Sequence, residues 1–154
     1  MNAAVKTDLH KYRPWLLFAL ALWFMLFSLY LGNRPIRREK RELGITIDSC
    51  EVVRYERTDG RDSNTYMHLD NITDFRMKTD DWTPFSGDLS ASDETMAAVM
   101  ETRGLAEVFS GIANTENGFW YFRDRSPAGC TLYNFTVAVY DTDARELYYL
   151  EYNS

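Results

Sequence analysis

From Trp15 to Leu31 the chain runs through seventeen residues without a charge. As an α-helix this run would measure about 26 Å, close to the thickness of a bilayer's hydrocarbon core. Its apolar side chains point in every direction around a helix, so the segment needs lipid or protein on all sides. Trp15 and Tyr30 stand near its two ends, where rings with a polar handle favour the membrane interface. A cleaved signal peptide would have a shorter apolar core followed by small side chains. Here the run leads into Tyr30-Leu31-Gly32-Asn33-Arg34-Pro35. The sequence therefore predicts a short basic tail over residues 1–13, an uncleaved transmembrane helix over 14–32, a basic juxtamembrane linker over 33–43 and a globular domain over 44–154.

With 26% charged and 45% hydrophobic residues, the chain is too polar for a polytopic membrane protein and too apolar for a disordered one. Its net charge of −6 hides two opposite halves. Residues 1–43 carry eight Lys and Arg against three Asp and Glu, a balance of +5; residues 44–154 carry nine against twenty, a balance of −11. A domain this acidic is a poor partner for nucleic acid and a good one for a basic protein, while the basic part suits something anionic.

The side of the membrane is contested by two arguments. Lys6, Lys11 and Arg13 precede the apolar run, and Arg34, Arg37, Arg38, Lys40 and Arg41 follow it. That excess favours a cytoplasmic C-terminal side. Against it stand the short basic tail, typical of a signal anchor, and an even pair of cysteines, compatible with an oxidising compartment. The expectation adopted is a single-pass inner-membrane protein with an extracytoplasmic, periplasmic domain; a cytoplasm-facing domain is the alternative. In that alternative Arg34, Arg37, Arg38, Lys40 and Arg41 would hold anionic lipid headgroups at about 1 kcal/mol each. Otherwise they form a solvated linker whose charge Glu39 and Glu42 partly offset.

The domain has 16 aromatic side chains with which to build a modest core. Ile45 to Ile47 alternates, and Cys50 to Glu56 continues as a strand after a change of phase near Ser49 and Cys50 that predicts a bulge. Thr58 to Asn64 is turn-rich, Thr65 to Leu69 returns as a strand, and Ile72 to Met77 forms a third. Thr79 to Ala91 reads as a long loop before a helix capped by Ser92. Met96, Val99 and Met100 and then Leu105, Val108, Phe109 and Ile112 are two apolar sets on opposite helical faces, which predicts two short helices divided at Gly104. Phe119 to Phe122 and Cys130 to Tyr140 read as buried strands, the latter central, with Glu146 to Tyr152 as its hairpin partner. The expected domain is α+β, with a mainly antiparallel sheet of five or six strands and one helical hairpin.

Little in the sequence points to chemistry. His68 is the one histidine of the domain, so with Cys50 and Cys130 it offers three soft ligands, too few for a four-coordinate zinc site unless a carboxylate fills in. No nucleotide-binding glycine loop, nucleophile elbow or metalloprotease helix is present. His68, between Met67 and Leu69, reads as a half-buried strand residue. Cys50 and Cys130 would close a loop of about 80 residues, worth about 4.5 kcal/mol as a disulfide, and are the candidate pair; two separate thiols are the alternative. Asp80, Asp81 and Asp88 surround Trp82 and Phe85 in the expected loop, where the two rings would serve as anchors for a protein partner. The expected function is a membrane-anchored, non-enzymatic protein-interaction module without cofactor, an accessory subunit or an immunity-type inhibitor of a basic protein. A small-ligand or hydrolytic domain with an acidic site is the second reading, and a folded spacer the third.

Overall fold

The computed structural model describes residues 9–32, 34–58, 63–103, 109 and 111–154, with side chains at 14–27, 36–58, 63–91, 93–101, 109 and 111–154. The chain divides into two compact units, one ending at Glu39 and the other running from Lys40 to Ser154. In the first unit a single helix, α1 (Leu9–Gly32), contains the charge-free run. Every side chain described on it, from Pro14 to Phe27, is exposed, and Trp23 stacks on Phe27 one turn later with centroids 5.1 Å apart. Among the described residues no helix is long and apolar enough to cross a membrane. The side chains described on α1 cover fourteen positions, about 21 Å of helix, against the roughly 20 residues that a span requires.

A second helix, α2 (Arg34–Glu42), follows. It stops at Gly44, whose φ of 63° suits a residue without Cβ, and whose amide donates to the Arg41 carbonyl at 3.3 Å. A two-residue strand, β1 (Ile45–Thr46), pairs with β4 (Arg76–Met77) in a small ribbon. The main sheet has six antiparallel strands in the order β2-β3-β8-β7-β6-β5: β2 (Ser49–Arg57), β3 (Thr65–Thr73), β8 (Glu146–Asn153), β7 (Asn134–Asp141), β6 (Asn117–Asp124) and β5 (Trp82–Ser86). The expected α+β class and mainly antiparallel sheet are therefore correct. So is the bulge: the β2–β3 register shifts between Ser49 and Glu51, and again between Val52 and Arg54.

Directly paired residues share a face of the sheet. Met67, Tyr149, Ala138, Tyr121 and Trp82 form one row across five strands. Over this face lie Leu43, Ile45 and Ile47, all buried. The Trp82 indole donates to the Leu43 carbonyl at 2.9 Å, and Phe75 stacks on Tyr140 at 3.8 Å. The opposite face carries Val137, Val139, Trp120, Tyr148 and Leu150 and is covered by Leu89, Met96, Val99, Phe109 and Ile112. All but Phe109 come from α3 (Leu89–Ser92), α4 (Glu94–Arg103) and a 3-10 turn (Ile112–Asn114). With both faces covered, β7 is buried from Phe135 to Asp141, as the apolar residues at both odd and even positions of its sequence predict.

Several boundaries differ from expectation. The third strand is split, because β3 continues to Thr73 and the chain turns at Asp74, with φ of 54°, before β4. The cap of the main helix is Asp93 in place of Ser92; its carboxylate accepts from the Thr95 amide at 2.7 Å. The expected break at Gly104, with Leu105 and Val108, lies outside the described residues.

Candidate functional site

The segment expected to present aromatic anchors is itself a strand. Trp82 and Phe85 are 6% and 8% exposed, since β5 pairs with β6 and the two rings, three residues apart, enter the cores on opposite faces of the sheet. Neither ring can anchor a partner in this fold. The acidic residues around them are separated as well. Asp80 and Asp81 are exposed before β5, and Asp88 follows it as the N-cap of α3. The Asp88 carboxylate accepts from the Ser90 hydroxyl at 2.7 Å and the Ser90 amide at 2.8 Å, and these bonds hold it below the usual carboxylate range.

The candidate disulfide is absent. Cys50 and Cys130 are both free thiols. Cys50 lies near the start of β2, beside the Ser49–Thr73 end of the sheet. Cys130 lies in the loop joining β6 to β7, beyond the Asp124–Phe135 pair at the other end. The separation is roughly 20 Å along the strands alone, against a limit near 7 Å between bridged Cα atoms. Cys130 was expected to begin a strand, but β7 starts at Asn134. Before it, Leu132 has φ of 54°, and the Ser126 hydroxyl oxygen accepts from the Tyr133 and Asn134 amides at 2.9 and 3.1 Å. Burial pushes the Cys50 thiol up, opposed by the charge of Lys40.

The basic run forms α2. Arg37, Arg38 and Arg41 are exposed, whereas Lys40 is half-buried and donates to the Ile47 carbonyl at 3.3 Å. Arg34 opens the helix; its side chain lies outside the described residues.

Two polar clusters had no signal in the sequence. In the first, Arg125 reaches Glu42 at 3.1 Å and Glu151 at 3.3 Å. Glu42 also accepts from the Thr136 hydroxyl at 2.8 Å and the Tyr149 hydroxyl at 3.2 Å. This ties the last turn of α2 to β7, β8 and the β6–β7 loop, and Arg125 supplies the counter-charge that two sequestered carboxylates need. In the second, Glu146 accepts from the Tyr148 hydroxyl and lies 3.3 Å from His68 Nε2, while the His68 ring stacks on Tyr148 at 4.6 Å. The His68 ring is held by both an edge and a face, the arrangement of a packed, half-buried histidine.

The third grouping is a surface. Pairing places Glu51 and Asp70 together at one end of the β2–β3 pair. At the same end of β7 and β8 Asp141 pairs with Glu146 but is buried, its carboxylate accepting from the Asp143 and Ala144 amides at 2.8 Å, while exposed Asp143 accepts from Asn117 at 3.0 Å. Glu116 and Asp88 adjoin this end through the Gly87 amide, which donates to the Glu116 carbonyl at 2.7 Å. Beside them lies a groove of about 500 Å³ lined by Asp88, Glu116, Leu89, Met100 and Ile112. Two carboxylates, Asp88 and Glu116, and the polar Asn114 and Thr115 share its lining with apolar side chains. Among the described residues no three His, Cys, Asp or Glu side chains could hold a metal ion.

In comparisons with known proteins, the chain matches no family model, no curated protein and no solved structure.

Proposed function

We propose that this chain is a single-span membrane-anchored protein whose acidic domain is a non-enzymatic interaction module for a basic protein partner. The anchor reading is supported by the coincidence of the charge-free run with α1. It gains further support from the exposure of Trp15, Leu16, Leu17, Phe18, Trp23 and Phe24, each by more than half, because a contiguous apolar surface of that size calls for a cover. The interaction reading is carried by one observation, the groove lined by Asp88 and Glu116 together with Leu89, Met100 and Ile112 beside the carboxylate-rich end of the sheet. Negative potential there would draw in a basic segment, and the apolar part of the lining would take its apolar side chains.

A specific observation favours the cytoplasm-facing orientation over the periplasmic one. With Cys50 and Cys130 free at opposite ends of the sheet, the disulfide argument for an oxidising compartment falls away. The short basic tail is then the remaining argument for the periplasm, and we weigh it below the excess of basic residues after the apolar run, which favours the cytoplasm.

Photo-crosslinking in native membranes tests the partner reading. A crosslinker at Ala113, on the groove, should trap a protein that Glu116→Gln with Asp143→Asn releases. Equal trapping from Thr131, in the β6–β7 loop, would refute a partner site at the acidic end. Labelling of exposed Cys130 by an impermeant thiol reagent should require lysis; labelling of intact cells would restore the periplasmic orientation.

A further inference from the structure

We propose that the exposed face of α2 is a docking strip for anionic phospholipid headgroups. The proposal rests on the anchor reading, and it begins from what folding does to a run of mixed charge. In the sequence, Arg34-Pro-Ile-Arg-Arg-Glu-Lys-Arg-Glu42 offers five basic residues against two acidic ones, and such a mixture reads as an ordinary solvated linker. The helix sorts it. Glu39 is fully buried. Glu42 is turned into the domain, onto Arg125, Thr136 and Tyr149 at 3.1, 2.8 and 3.2 Å. Both carboxylates are therefore withdrawn from the outer surface of the helix.

Among the described side chains of the helix, those that are exposed are all positive. Arg37, Arg38 and Arg41 are exposed, and at about 100° per residue they fall within a single arc of about 100°. Ile36, Glu39 and Leu43, all buried, fall on the opposite side by the same count. The occupant follows from continuity and charge. α2 begins two residues after α1 ends at Gly32, and the strip five residues after it at Arg37, so a spanning α1 would deliver α2 at headgroup depth. Three guanidiniums spaced along one side of a helix there match the phosphates and carboxylates of an anionic leaflet.

The test uses the full chain reconstituted in phosphatidylcholine vesicles carrying trace spin-labelled phosphatidylserine or phosphatidylcholine, with electron paramagnetic resonance reporting the lipid held at the protein. At low salt phosphatidylserine should be preferred by about threefold or more. Arg37→Gln with Arg38→Gln and Arg41→Gln should bring the ratio to about one, as should 1 M salt. The matching triple Lys variant, which keeps the charge, should retain the preference and exclude misfolding as the cause of the loss. A wild-type ratio near one, in a chain that floats with the vesicles, would overturn the docking strip and leave the anchor standing. A preference that survives the Gln variant would assign the lipid contact to another basic segment and likewise overturn the strip. A chain that does not float with the vesicles would overturn both readings.

Discussion

Arg125 illustrates how much of this fold depends on single, distant polar contacts. It serves Glu42 and Glu151 at once, and without it two largely buried carboxylates would face each other across Tyr149. Removing one partner of a buried ion pair costs more than the pair contributes, because the remaining charge stays desolvated. Arg125 is about a third exposed, so solvent relieves part of that cost. Arg125→Ala should lower unfolding stability by about 2 kcal/mol, read as a shift of the urea midpoint; an unchanged midpoint would show that water replaces the guanidinium fully. Tyrosines set a second residue-level property. Burial pushes the pKa of the Tyr148, Tyr121 and Tyr140 phenols up, and at Tyr148 the Glu146 carboxylate adds to it. The folded chain therefore keeps these protons when the unfolded chain begins to lose them. Their contribution to stability is complete below about pH 10 and falls as pH rises beyond it. Denaturant titrations should show a steep loss of stability above that pH, reduced in Tyr148→Phe.

At the scale of elements, legibility follows the range of the forces involved. The β7–β8 hairpin could be read because its strands are apolar, its turn is Asp-Thr-Asp-Ala-Arg, and its pairing is local. The β2 bulge could be read because a phase change in alternation has no other explanation in a strand. β5 could not: Pro84 and the flanking Asp, Ser and Gly residues look like a loop, and its two aromatic rings are three apart, so no alternation marks it. A margin strand tolerates proline where a central one would not, and only tertiary pairing with β6 shows that this is one. The same holds for the Glu42 network, whose bonds to Glu42 span 83 to 107 positions in sequence. Sheet order also decides the cysteines, since it sends Cys50 and Cys130 to opposite ends. Adding reductant should leave the thermal midpoint unchanged; a fall of about 5 °C or more would mean that a disulfide closes after all.

In the whole molecule an apolar helix, a helix with a cationic outer face and an acidic sheet domain follow one another along the chain. The charge split visible in the sequence thereby acquires a physical meaning: the positive charges gather where an anionic leaflet would lie, and the negative ones where a basic partner would dock. The central claim is the anchor, and alkaline carbonate extraction of native membranes tests it most directly. At about pH 11 the domain should be destabilised by its tyrosines and peripheral electrostatic contacts should be lost, but a spanning helix has no reason to leave the bilayer. The account predicts that the full chain stays in the membrane pellet. Its release into the supernatant would contradict the account.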